Sequence, residues 1–118
     1  MARIEYFFSL LSPFTYLAGM RLEEIAGRRG AEITYRPTDV QKVLGQTGGV
    51  PVPQRHPFRQ EYRLQELKRL SAHAGLPLNI QPAFWPTNAG PASCAVLAVA
   101  EQGGDAGTLA HAYLRAVW

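Results

Sequence analysis

An α/β fold, in which one βαβ unit leads into a long helical segment, is what this sequence predicts. Three observations predict it: an alternating run at residues 3 to 8, an amphipathic period from Pro13, and a second alternating run at residues 31 to 36. In Arg3-Ile4-Glu5-Tyr6-Phe7-Phe8 the side chains of Ile4, Tyr6 and Phe8 share one side, as a buried strand requires. From Pro13 the residues Phe14, Leu17, Ala18, Leu22, Ile25 and Ala26 recur at helical spacing, and Gly27 and Gly30 supply stop signals, so one amphipathic helix is expected. Ala31, Ile33 and Tyr35 then align in a second strand. Strand, helix and strand in succession imply a right-handed βαβ unit with parallel strands.

Pro37 to Pro57 carries Gly45, Gly48, Gly49, Pro51 and Pro53, which predicts an irregular loop with a short helical turn at Val40 to Leu44. Loops of that length are often functional. Helical periodicity returns from Pro57 to Ala74, with Leu64, Leu67, Leu70, Ser71 and Ala74 on one face, Arg55, Arg59 and Arg63 at four-residue steps on another, and Gly75 as the stop. Residues 76 to 91 carry Pro77, Pro82, Pro86 and Pro91 with the aromatics Phe84 and Trp85, the composition of an ordered but irregular crossing. Asn88 is placed to cap an Ala-rich helix over 91 to 102, which Gly103-Gly104 ends, and Asp105 is placed to cap a last helix over 106 to 118. The organisation expected is therefore a βαβ half at 1–38 and a helical segment at 39–118.

With 118 residues, 47% of them hydrophobic, the chain fits one globular domain with a modest core. It has no long uninterrupted apolar stretch, and it opens on a strand rather than a charged patch and cleavable helix, so no membrane partner and a cytoplasmic location are expected. The single cysteine, Cys94, rules out an internal disulfide framework and a two-cysteine redox motif. It lies in the apolar helical run Ala92 to Ala100, where burial as a small apolar side chain is expected. His56, His73 and His111 lack ligand spacing, so no metal is expected and all three are assigned to the surface. The formal charge of +3 and a pI near 9.4 come from basic residues interspersed with acids, without a zinc finger, a clear helix-turn-helix or a basic tail. Small anionic ligands fit that pattern better than nucleic acid, which is not expected as a partner.

Ser12 is the candidate with the most chemistry. It sits where the first strand breaks into a helix, and the first backbone N–H groups of a helix have no partner inside it, so a hydroxyl there can hold a thiolate or carboxylate. Ser followed by Pro13 is equally ordinary helix-start chemistry, and both readings stand at this level.

The order Ser12-Pro13-Phe14-Thr15-Tyr16-Leu17, the Pro-Gly loop, the helix with Pro57-Phe58-Arg59-Gln60-Glu61-Tyr62, and the crossing from Leu76-Pro77-Leu78-Asn79 to Pro86-Thr87-Asn88 resemble the 2-hydroxychromene-2-carboxylate isomerases. Those enzymes group with the kappa-class glutathione transferases in the thioredoxin-like disulfide-oxidoreductase superfamily. The resemblance implies a thioredoxin-like βαβ unit followed by an all-helical insertion, glutathione as cofactor, a small aromatic acid as substrate and a homodimer. It also implies that the C-terminal half of the thioredoxin sheet, with its cis-proline loop, is absent from these residues. In that superfamily Ser12 stands at the position of the attacking cysteine and Thr15 at that of the resolving one. A hydroxyl is a poor nucleophile at neutral pH, so Ser12 suits donation to the sulfur of glutathione, whose thiolate would add to a conjugated carbon, allow rotation and leave. The reaction implied is cis–trans isomerisation in aromatic catabolism. A kappa-type conjugating transferase and a non-catalytic binding or dimerisation fragment are the alternatives.

The resemblance further places Ser12, Pro13, Phe14, Gly49 and Arg59 at glutathione and Asn88 at the substrate. Arg55 and Arg63 extend the Arg59 stripe towards the carboxylates of either ligand, and Phe14, Phe84 and Trp85 are placed to wall an aromatic substrate pocket. Gly49 departs from an asparagine frequent in the family, which removes a polar contact but permits close backbone approach. A solvated helix face for the arginines, core packing for the aromatics and a helix cap for Asn88 are the competing readings.

Overall fold

The computed structural model describes residues 1–118 throughout. β1 (Arg3–Phe8) and β2 (Glu32–Pro37) form a two-stranded parallel sheet, with Ile4 opposite Ile33, Tyr6 opposite Tyr35 and Phe8 opposite Pro37. Those residues make one face, where Tyr6 and Phe8 stack at 4.7 Å and Tyr35 meets both edge-on at 6.1 and 6.2 Å. The other face carries the Arg36–Glu5 ion pair at 2.7 Å, the Arg3–Glu32 pair at 3.6 Å and an exposed Phe7. The mixed α/β architecture predicted from the sequence is present.

The helix expected from Pro13 to Ala26 is broken in two, α1 (Pro13–Leu17) and α2 (Arg21–Arg29). Gly19 makes the break at φ +58°, a conformation that side chains with a Cβ rarely adopt. The reason is tertiary: α1 packs on two later helices and buries Tyr16 and Leu17, whereas α2 turns to lie on β2 and leaves Ile25 exposed. Each piece is amphipathic, so the apolar spacing runs through a break it does not reveal.

The helices that follow are α3 (Val40–Thr47), a 3₁₀ turn (Val52–Gln54), α4 (Pro57–Ala74), α5 (Gly90–Glu101) and α6 (Ala106–Val117). α3 is longer than the short turn expected, because Asp39 caps it by accepting from the Lys42 N–H at 3.2 Å and Gly48 ends it in a left-handed conformation. α4 ends at Gly75 as predicted, and Asp105 caps α6 by accepting from the Thr108 N–H at 2.9 Å. The cap residue of α5 is Ala89 rather than Asn88, but the Asn88 side chain still accepts from the Gly90 N–H at 3.0 Å.

One apolar core joins the two segments. Phe8, Leu10, Tyr16 and Leu17 meet Leu67 of α4, Val96 of α5, and Ala106, Ala110, Leu114 and Trp118 in and after α6. The Tyr16 hydroxyl donates to the Pro77 carbonyl, which pins α1 to the crossing after α4. No helix is long and apolar enough to cross a membrane.

Candidate active site

β1 ends inside the molecule at Phe8, Leu10 beyond it is also buried, and the chain must reverse before α1 can begin. A tight turn does this: the Ser12 N–H donates to the Ser9 carbonyl and the Leu11 N–H to Ser9 Oγ, each at 3.2 Å. Ser12 emerges with extended backbone as the cap of α1, and its Oγ accepts from the Thr15 N–H at 3.2 Å. The hydroxyl's own proton makes no hydrogen bond within the chain, so Ser12 caps the helix and still has a donor for a ligand. α1 has only five residues, so its dipole adds little and the oriented hydroxyl carries the local chemistry.

Ser12, Pro13, Phe14 and Thr15 line a cleft of about 830 Å³ together with Arg55, Arg63, Trp85, Asn88 and Cys94. Arg55 donates from Nε to the Val50 carbonyl at 2.8 Å, and Arg63 lies over the Trp85 ring, 5.3 Å from its centroid. Neither guanidinium pairs with a carboxylate. Burial holds Arg63 below its ordinary pKa, and the charge of Arg55 adds to that effect. Asp39 is the one acidic residue lining the cleft, and its carboxylate is engaged in capping α3. The cleft therefore presents a net positive charge, with neither guanidinium in an ion pair, beside a free hydroxyl donor.

Of the residues expected at the site, the structure gathers Ser12, Pro13, Phe14, Trp85 and Asn88 in this cleft and leaves Gly49, Arg59 and Phe84 outside its lining. Arg55 and Arg63 line it, but the three arginines are not one helical stripe. Arg55 precedes α4 in extended conformation, and Arg59, one turn or about 6 Å nearer the start of α4 than Arg63, is exposed without an ion pair. Gly49 packs so tightly on Leu44 that a Cβ there would lie 2.2 Å from Leu44 Cδ2, and Leu44 rather than Gly49 faces the cleft. Phe84 is 88% exposed, while its neighbour Trp85 turns inward to donate from Nε1 to the Leu11 carbonyl at 3.0 Å.

Cys94 is exposed on the cleft, which corrects the expectation of burial. Val96 is the α5 residue that faces the core, and two residues along a helix differ by about 200° in direction. In a run where nearly every residue is apolar, composition does not say which side packs.

His111 is likewise not a surface histidine. Its Nε2 lies 2.6 Å from Glu23 Oε1, which also accepts from the Tyr35 hydroxyl at 2.9 Å, so α6, α2 and β2 meet at one carboxylate. Both partners are mostly buried, with 14% and 19% of their side chains exposed. Burial alone raises a carboxyl pKa, but the hydrogen bonds from His111, the backbone and Tyr35 outweigh it and bring Glu23 below its ordinary value. Tyr35 is pushed upward by burial and by Glu23, and Tyr6 upward by burial and the same charge. A pair 88 residues apart leaves no signal in local spacing.

The DSBA-like thioredoxin domain model matches residues 3–118. The chain belongs to this family. Among curated relatives of this DsbA-like domain, the 2-hydroxychromene-2-carboxylate isomerase of Sphingobium xenophagum is 30% identical over 82 residues, covering 69% of the chain and 42% of that protein. The enzyme of the same name from Pseudomonas putida is 33% identical over 76 residues, covering 64% and 37%. The chain thus spans about two fifths of the length of these relatives. A solved 2-hydroxychromene-2-carboxylate isomerase superposes with a TM-score of 0.53 at 23% identity, over 96% of this chain and 71% of that one, a likeness of fold. The family and the thioredoxin-like architecture anticipated from the motifs are those found, and isomerase at family level is the class of the named relatives.

Proposed function

We propose that this domain carries the Ser12 half of the site of a glutathione-dependent cis–trans isomerase of the 2-hydroxychromene-2-carboxylate type, acting on a small aromatic acid. The observation that carries this reading is Ser12 itself, a hydroxyl with a free proton at the rim of a cleft lined by two unpaired guanidinium groups. Those groups fit glutathione, an anion with a thiol that must ionise. Glutathione, when bound, supplies the sulfur nucleophile that adds to and leaves the conjugated double bond. The chain's part is to orient it. Ser12 donates to the sulfur and favours its thiolate form, because a hydrogen bond to the charged state lowers its pKa. Arg55 and Arg63 attract the carboxylates, and Phe14 offers an apolar wall for the aromatic ring.

Ser12→Ala tests this. Loss of the cap costs about 0.5–2 kcal/mol of stability, whereas loss of a donor aimed at the reacting sulfur should cost at least a hundredfold in turnover. Glutathione binding by calorimetry and isomerisation followed by absorbance are the measurements. A variant that binds glutathione and isomerises as the parent does sinks the reading.

A conjugating glutathione transferase would use the same thiolate, and product analysis separates the two. A third reading is a non-catalytic binding or dimerisation module. Self-association in sedimentation without any glutathione binding would select it.

A further inference from the structure

Trp85 touches three parts of the molecule that chain order keeps apart. Its indole N–H donates to the Leu11 carbonyl 74 residues upstream, and that carbonyl belongs to the peptide group whose N–H is that of Ser12. Its face carries Arg63, and the Trp118 ring packs against it with centroids 5.7 Å apart and planes inclined at 51°. Arg63 comes from α4, Trp118 follows α6, and Leu11 precedes α1. One ring therefore joins the cation of the cleft wall to the turn that presents Ser12.

The way Arg63 is held leaves its chemistry unspent. A guanidinium stacked on an indole is attracted through the ring quadrupole, so its N–H donors are not consumed. Arg63 makes no ion pair, although it is only partly exposed. Its planar fork of donors matches the two oxygens of a carboxylate. A desolvated cation with idle donors on a cleft wall is a receptor for an anion that arrives from outside.

We propose that Arg63 is a carboxylate receptor of this cleft and that Trp85 is the positioning residue that fixes its distance from Ser12. The inference rests on the reading of Ser12 as the sulfur-holding group and adds a second fixed point to it. A ligand reaching both points meets a span set by one rigid ring, which limits how far its carboxylate and its reacting centre can wander. Glutathione and the aromatic acid both carry carboxylates, and the experiment tells them apart.

The test is calorimetry and ¹⁵N–¹H spectra of the whole chain with two probes, glutathione and 2-hydroxycinnamate, an aromatic acid without a thiol. The chain has two tryptophans, so the indole signal that Trp85→Phe removes is that of Trp85. Arg63→Met should weaken one probe about tenfold or more, the loss of a charge-assisted contact, and the probe it weakens identifies the source of the carboxylate. The same probe should move the Trp85 indole and Ser12 amide signals in the parent, and in Arg63→Met it should no longer move the indole. Trp85→Phe keeps a ring beneath Arg63 and removes the N–H. It should hold affinity for that probe within threefold while the ligand-induced shift at Ser12 changes in size or direction, because the distance between the two fixed points is no longer set.

Parent-like binding of both probes by Arg63→Met overturns the receptor, and leaves the proposed function standing if Ser12→Ala still loses glutathione. A ligand-induced Ser12 shift identical to the parent's in Trp85→Phe overturns the positioning role. Failure of the parent to bind glutathione, with 2-hydroxycinnamate still acting through Arg63, removes the glutathione reading and keeps the receptor. Failure to bind either probe overturns both.

Discussion

In the cleft beside Ser12, Arg55 and Arg63 stand without a carboxylate partner, whereas Glu23 Oε1 is met by both His111 and Tyr35, even though Glu23 Oε2 is buried without one. Both regions are partly buried, and both bring together residues far apart in sequence. The difference lies in what completes them. The Glu23 cluster finds its partners within the chain, with Oε1 meeting His111 and Tyr35 while Oε2 is left buried and unpartnered, and so ties α2, α6 and β2 together. The cleft leaves its guanidinium charges and the Ser12 proton for something outside the chain. Cations that face a cleft without a carboxylate partner in one place, and a carboxylate that joins three elements in another, separate a binding surface from a structural joint more clearly than residue type does.

The largest stability effect that would sharpen this contrast is expected at the joint. Glu23→Ala removes the acceptor of His111 and Tyr35 together, and leaving both without a partner should cost about 2–3 kcal/mol, read as a lower urea midpoint at unchanged slope. A loss below 0.5 kcal/mol, by the same measure of a surface substitution, breaks the comparison.

The joint should also show in acid. Glu23 titrates below its ordinary value of 4.5 in the folded chain, so the unfolded chain takes up its proton first as the pH falls. The stabilisation is complete above that ordinary value and is lost as pH drops through the lower, folded one. Tyr35 behaves in the opposite sense. Its pKa is raised above the ordinary 10, so its contribution is whole below that pH and is lost as the pH climbs through the higher folded value. Urea midpoints measured against pH should therefore slope in acid for the parent and flatten there in Glu23→Gln. An equal slope in both chains assigns the acid response to other carboxylates.

The cleft should respond to neutralisation with little change in stability. Arg63→Met gives up the stacking on Trp85, about 0.5–1 kcal/mol, but has no carboxylate to lose and relieves repulsion with Arg55, so thermal stability should stay within about 1 kcal/mol of the parent. A destabilisation of about 2 kcal/mol would make Arg63 a structural residue like Glu23.

The smallest effects are expected at Cys94 and Arg59. The Cys94 thiol is exposed, so a disulfide reagent should modify it in the native chain nearly as fast as in urea, and Cys94→Ala should leave stability within about 0.5 kcal/mol. Slow native labelling would return Cys94 to the core. Arg59→Gln should leave the midpoint and the binding of both probes unchanged, since Arg59 lies outside the cleft.

Elements governed by short-range chemistry were legible in the sequence. The strand Arg3–Phe8, the helix Pro57–Ala74 with its Gly75 stop and the Asp105 cap all follow from apolar period, glycine or a capping side chain within four residues. Ser12 was legible for the same reason, because a strand-to-helix junction with Ser-Pro is a local pattern. The break at Gly19 was not, since each half of the broken helix keeps the spacing of the whole and only the separate packing of α1 and α2 decides it. Cys94 and His111 were misplaced on similar grounds. A uniformly apolar helix does not declare its buried face, and a histidine 88 residues from its carboxylate carries no sign of the pairing. Local sequence determined where helices and strands start and stop, because caps, turns and periods act over a few residues. Which arginines face the cleft, which ring joins them to Ser12 and which charges are neutralised was decided only when the tertiary structure brought α4, α5 and α6 against β1 and α1, because burial and pairing energies depend on neighbours that chain order does not specify.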